Sequence, residues 1–100
     1  MENDQVAGHG QPQFRIPAEV YLREVDGEMV LLDLSREEYF GLNETGTNFV
    51  KKLIEMSPDE ALSMLASEYE ETSADVLGRD MDALVASLLE AALLERTETA

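Results

Sequence analysis

The sequence predicts an α+β fold, a three-stranded antiparallel sheet followed by three helices, and two observations carry that reading. Up to about residue 42, apolar residues alternate around an Asp-Gly dipeptide, as half-buried strands joined by a tight hairpin require. From residue 43 onward the apolar period lengthens to about 3.6 residues, and each of three apolar stripes follows a capping residue, as amphipathic helices require. A sheet this small needs such a helical cover to be stable.

Residues 1–13, MENDQVAGHGQPQ, are polar and aperiodic; they bury too little to offset their ordering entropy and are expected to form a flexible tail. The folded domain is expected over residues 14–96, with residues 97–100 as a flexible end. Val20-Tyr21-Leu22-Arg23-Glu24-Val25 has the β-branched and aromatic content of a first strand. Asp26-Gly27 follows; both residues tolerate the positive φ of a tight hairpin turn. Met29-Val30-Leu31-Leu32-Asp33-Leu34 is the partner strand, Ser35-Arg36-Glu37-Glu38 a polar reversal, and Tyr39-Phe40-Gly41-Leu42 a short third strand that completes a meander.

Asn43 caps the first helix, Glu44 suits its dipole, and Phe49, Val50, Leu53 and Ile54 form its apolar stripe. Ser57-Pro58-Asp59-Glu60 joins a capping serine, a proline at the first helical position and a glutamate three residues after the cap. The second helix is expected to bury Leu62, Leu65 and Tyr69. A third start lies at Thr72-Ser73-Ala74-Asp75, and Leu77, Met81, Leu84, Val85, Leu88, Leu89 and Ala92 then recur at helical spacing, about five turns.

At 100 residues the chain holds about one domain, with roughly two-thirds of its unfolded surface buried. Seven Lys and Arg against 22 Asp and Glu give a formal net charge of −15, which repels phosphate backbones and anionic membranes and favours basic partners. There is no cysteine, hence no disulfide framework and no thiolate chemistry. The acidic start Met1-Glu2-Asn3-Asp4 lacks the basic and apolar regions of a signal peptide, and no apolar run approaches the roughly 20 residues that span a bilayer. A soluble, cytoplasmic protein is expected.

Candidates for chemistry are few. The single histidine, His9, sits between two glycines in the tail, a position that points to an incidental polar residue rather than a catalytic or metal group. Glu37-Glu38 and Glu68, Glu70 and Glu71 read as solvated turn and helix-end charges. With no cysteine and a single histidine the chain has no zinc-ligand set, no calcium-loop spacing occurs, and Gly41 and Gly46 have no following lysine to make a phosphate loop. No enzyme activity, metal or cofactor is predicted.

Binding remains. The third strand of a sequential meander is an edge with unpaired backbone groups, and Tyr39-Phe40-Gly41-Leu42 has no proline, lysine or inward charge to blunt it. Such an edge can accept a peptide as an added strand. Equally, Phe40 and Leu42 fit a plain core role under a shielding third helix; composition leaves both readings open.

GEMVLLDLSREEYFGLNETGTNFVKKLIE, followed by a capped short helix and a long leucine-rich one, resembles the PqqD-like family of RiPP recognition elements. The resemblance rests on Leu32-Asp33-Leu34, residues 39–43, Gly46 and Phe49-Val50, and covers about residues 18–95. It implies a winged helix-turn-helix-like domain, non-catalytic, that captures the leader segment of a ribosomally made precursor peptide and presents it to a modifying enzyme. The leader would add as a strand to strand three, at Glu38, Tyr39, Phe40, Gly41 and Leu42, and pack against a wall from helix three, at Val76, Arg79, Asp80 and Ala83. Many members of the family have Trp where Phe49-Val50 stands, a departure that touches core packing more than the edge. The run LLDLSREEYFGLN is similar to the lasso peptide type, which serves a leader peptidase and a cyclase. The alternative is the peptide chaperone of pyrroloquinoline quinone synthesis, which serves a radical enzyme.

Two other readings differ in class. A winged helix could bind DNA, but residues 73–94 carry one Arg against Asp75, Asp80, Asp82 and Glu90, whereas DNA binding needs a basic stripe. An acidic interaction or oligomerisation module could instead use Leu88, Leu89, Leu93 and Leu94 as a sticky helix surface.

Overall fold

The computed structural model describes residues 11–97. In chain order it contains β1 (Phe14–Arg15), β2 (Val20–Val25), β3 (Glu28–Asp33), β4 (Glu38–Leu42), α1 (Glu44–Leu53), α2 (Pro58–Glu68), α3 (Ala74–Glu90) and β5 (Glu95–Arg96). The main sheet is antiparallel in the order β2-β3-β4, so the expected meander and its three following helices are present, as an α+β fold. The expected tail at residues 1–10, His9 included, and residues 98–100 lie outside the described residues.

The hairpin turn forms as its chemistry dictates: Asp26 and Gly27 both take positive φ, 53° and 82°, which matches the right-handed twist of the strands they join. Register sets the parity of every strand. Leu31 pairs with Leu22 on one side and Phe40 on the other, and Met29 pairs with Leu42, so these residues share the face covered by the helices. Tyr21, Leu32 and Tyr39 form a row on the opposite face.

Each helix starts where its cap predicts. The side chains of Asn43, Ser57 and Ser73 accept from the amides of Gly46, Glu60 and Val76 at 2.8, 3.3 and 3.2 Å. The core joins Met29, Leu31 and Leu42 of the sheet to Phe49, Val50 and Leu53 of α1, Leu65 of α2, and Leu77, Met81 and Leu88 of α3. In α2 the buried pair is Ala61 and Leu65, while Leu62 and Tyr69 are half-buried. The small Ala61 lets α2 approach closely, and Tyr69 turns its hydroxyl outward to accept from Asn48 Nδ2 at 2.6 Å.

The third helix is shorter than its apolar repeat. It ends at Glu90, and Ala92 takes φ 60° while the amides of Ala92 and Leu93 donate to the carbonyls of Leu89 and Leu88. That pairing is a Schellman motif, and it reverses the chain. The oligomerisation reading fails here: Leu88, Leu93 and Leu94 are buried in the core and Leu89 is half-buried against it, because the turn after Ala91 folds the last leucines back under the domain. Beyond them β5 pairs with β1, Phe14 opposite Arg96 and Arg15 opposite Glu95. An Arg15–Glu95 ion pair and the Arg96 guanidinium 5.3 Å above the Phe14 ring reinforce this clasp. Pro12, Gln13 and Thr97, which composition alone gives to the tails, are hydrogen-bonded to one another across it.

Candidate functional site

β4 is an edge. Among the described residues it pairs with β3 alone, through Glu38 to Asp33, Tyr39 to Leu32, Phe40 to Leu31, Gly41 to Val30 and Leu42 to Met29. Among the described residues the other backbone side of the strand has no partner strand, and such an edge can take a further strand. Below, α1 holds the strand in place: Thr47, 1% exposed, accepts the Met29 amide at 2.9 Å and reaches the Leu42 carbonyl at 3.5 Å.

The five strand residues divide by face. Glu38, Phe40 and Leu42 lie on the helix-covered side, where Leu42 is buried, Phe40 is half-buried against the core, and Glu38 stays exposed beside Arg36. Tyr39, 75% exposed, and Gly41 lie on the open side. A Cβ on Gly41 would meet nothing within 4 Å, so no local crowding demands glycine there.

Val76, Arg79, Asp80 and Ala83 are all exposed on α3. At about 100° per residue, Asp80 flanks the buried stripe of Leu77, Met81 and Leu88, Val76 and Ala83 lie further round, and Arg79 stands opposite the stripe. The opposite flank, with Asp82, Val85 and Leu89, lines a cavity of about 350 Å³ closed by Phe14 and Arg96 of the clasp. The clasp adjoins β2, whose Val20 amide donates to the Pro17 carbonyl, and β2 is the far edge from β4. The close packing of β4 is with β3 and α1, and that of α3 is with α1 and α2.

Arg36 links the turn before β4 to the end of α3. The Arg36 Nη1 donates to the Ala91 carbonyl at 3.3 Å and lies 3.6 Å from Glu38 Oε1, while Nε is 3.7 Å from Asp33 Oδ2. Asp33 is only 3% exposed, and its Oδ1 accepts from the Ser35 hydroxyl and from the Ser35 and Arg36 amides. The Ser35 hydroxyl, those two amides and the Arg36 charge hold the Asp33 carboxyl below its usual value, against the opposing pull of burial. This is a structural carboxylate in a turn, with Oδ1 occupied by the turn's donors and Oδ2 facing the Arg36 charge.

Among the described residues no group of three His, Cys, Asp or Glu could hold a metal ion, and no helix is long and apolar enough to cross a membrane. Two features lie outside the reading made from the sequence. Thr47 looks in sequence like any early helical residue, and the open sheet face gathers Tyr21, 57% exposed, with Leu32 and Tyr39 in one cross-strand row. Period-two alternation could have found that second apolar face; nothing local signals Thr47.

Comparison with known proteins adds to this geometry. Residues 28–94 match the family model described as coenzyme PQQ synthesis protein D (PqqD). No curated protein matches the chain. A solved structure of lasso peptide synthetase B1 complexed with the leader peptide is 37% identical, with a TM-score of 0.76 over 83% of this chain and 98% of that one. A second, TbiB1 in complex with the TbiA(beta) leader peptide, is 29% identical, with a TM-score of 0.75 over 85% of this chain and 99% of that one.

Proposed function

The chain belongs to the PqqD family, and from that premise we propose that it is a non-catalytic adaptor of lasso peptide biosynthesis. It captures the leader segment of a ribosomally made precursor as an added strand along β4 and delivers it to a leader peptidase and cyclase. The observation that carries this reading is the edge of β4, which among the described residues has no second partner strand and holds no proline or lysine to blunt it. Likeness to two leader-bound lasso proteins over more than four-fifths of the chain supports it.

In this reading Glu38, Tyr39, Phe40, Gly41 and Leu42 offer backbone pairing, Val76, Asp80 and Ala83 form the facing wall, and Arg79, which stands opposite the buried stripe, reaches it only from the outer rim. The leader-binding domain runs over residues 14–96. Its seat is the cytoplasm, where the cysteine-free composition costs nothing. The net charge of −15 steers leaders carrying Lys or Arg, so association slows as salt rises. Delivery needs a second surface, and the Tyr21-Leu32-Tyr39 row on the open face fits it, since tyrosines on an exposed apolar face are common anchors of protein interfaces.

The alternative service, to the radical enzyme of pyrroloquinoline quinone synthesis, is favoured by the family model's own description. A labelled-amide NMR titration with the leader of each candidate precursor separates the readings. Shifts at residues 38–42 and 76–83 are expected with a lasso leader. Shifts confined to residues 88–94, or produced only by a quinone precursor, overturn the lasso assignment. Proline at Phe40 or Gly41 removes a backbone donor. The variant whose outward N–H is lost should bind no leader, and unchanged affinity in both would sink strand addition.

A further inference from the structure

We propose that Arg36 is a positioning residue of the leader cleft, setting the spacing between the docking strand β4 and the wall helix α3. The inference rests on the leader-binding reading of that cleft and adds to it a residue outside both walls.

Three features converge on the guanidinium. It lies in the turn that launches β4 and is held there from below by Asp33, the buried last residue of β3, whose second oxygen is saturated by the turn's own donors. It approaches Glu38, the first residue of β4. And it reaches across 55 residues of chain to donate to the Ala91 carbonyl.

That last contact has a reason. The final turn of α3 contains no basic residue, although a helix C-terminus favours a cation. The carbonyls of Ser87, Leu88 and Leu89 are taken by the amides of Ala91, Leu93 and Ala92, and the cap residue's own carbonyl is completed by Arg36. The charge that the helix end lacks is thus supplied from the strand side of the cleft. Because β4 and α3 do not pack closely on one another, a bridge at this end limits how far the walls can part. A guanidinium suits this bridge because its donors lie in one plane and serve carboxylate and carbonyl together, which an ammonium does not. Arg36 beside Glu38 also offsets part of the charge at the start of the docking strand.

A pre-set cleft binds with less ordering cost than a loose one. Replacing Arg36 with Met, which keeps the stem and removes every donor, should raise the dissociation constant for a fluorescein-labelled synthetic lasso leader about tenfold, with Arg36→Lys in between. Hydrogen exchange in the free protein provides the readout that a general stability role would not give. Amides of residues 38–40 and 91–93 should exchange faster together in Arg36→Met, while those of Val50 and Leu53 keep their protection. Leader affinity equal to the parent, or faster exchange spread evenly through Val50 and Leu53, overturns the positioning role. A folded parent protein that binds no leader counts against the docking reading itself; the exchange pattern then still decides whether the tether exists.

Discussion

Met29 and Thr47, eighteen residues apart, are joined by a buried hydrogen bond in which the Met29 amide donates to the Thr47 hydroxyl at 2.9 Å. The same hydroxyl lies 3.5 Å from the Leu42 carbonyl, so a single side chain of α1 ties the start of β3 to the end of β4. Thr47→Val preserves shape and strands the Met29 amide without a partner, which costs about 1–3 kcal/mol. Thr47→Ser keeps the hydroxyl and should lose less. Urea unfolding monitored by circular dichroism checks both, and a valine variant as stable as the parent would show that this bond contributes nothing.

Phe40 and Tyr39 are neighbours in sequence with opposite roles. Phe40 faces the helices, opposite Leu31, and is half-buried; Tyr39 is largely in solvent. Phe40→Ala should therefore destabilise the fold, by about 2 kcal/mol for a partly buried ring, and weaken leader binding as well. Tyr39→Ala should leave melting temperature and leader affinity near the parent values and reduce leader processing by the peptidase instead. Binding and cleavage assays run on both variants separate the two faces; a reversed pattern would assign the leader to the open face.

The elements that depend on local chemistry could be read from the sequence. Asp26-Gly27 announced its hairpin, and Asn43, Ser57 and Ser73 announced three helices, because caps and turns act within four residues of themselves. The clasp could not be read: β1 and β5 have two residues each, too few for any period, and their partners lie eighty positions apart. Leu93 and Leu94 looked like an exposed apolar end because nothing in an apolar run tells where a helix stops when the left-handed cap is alanine rather than glycine. At the site, the unblunted edge was legible from the absence of proline and lysine, whereas strand parity required the register. The reach of Arg36 to Ala91 required the tertiary fold.

Asp33 links stability to acid. Its carboxyl titrates below the ordinary value of 3.8, chiefly because the Ser35 hydroxyl bonds the charged form. A depressed folded-state value stabilises the protein fully above the unfolded-state value and is lost as pH falls through the folded one. The stability gap between the parent and Asp33→Asn should stay level from neutral pH down to about 4 and close below 3.8. Ser35→Ala should shift the Asp33 carboxyl titration, followed by carbon NMR, back toward 3.8. A gap that widens in acid would mean that the carboxyl is raised rather than lowered.

Ala92 pays for the reversal that buries the last leucines. Its φ of 60° sits in the left-handed region, which costs an L-residue with a Cβ roughly 1–2 kcal/mol and which glycine enters freely. The motif holds nonetheless, because the Leu93 amide donates to the Leu88 carbonyl at 2.9 Å and the two side chains are buried together, the apolar contact that accompanies such caps. Ala92→Gly should relieve the strain and, after the greater entropy of glycine in the unfolded chain, stabilise the protein by up to about 1 kcal/mol. Ala92→Val, β-branched in the same conformation, should destabilise it by more than that. If thermal melts rank glycine below alanine, the left-handed turn at residue 92 is not what ends α3, and the burial of Leu93 and Leu94 must then be driven by the clasp instead.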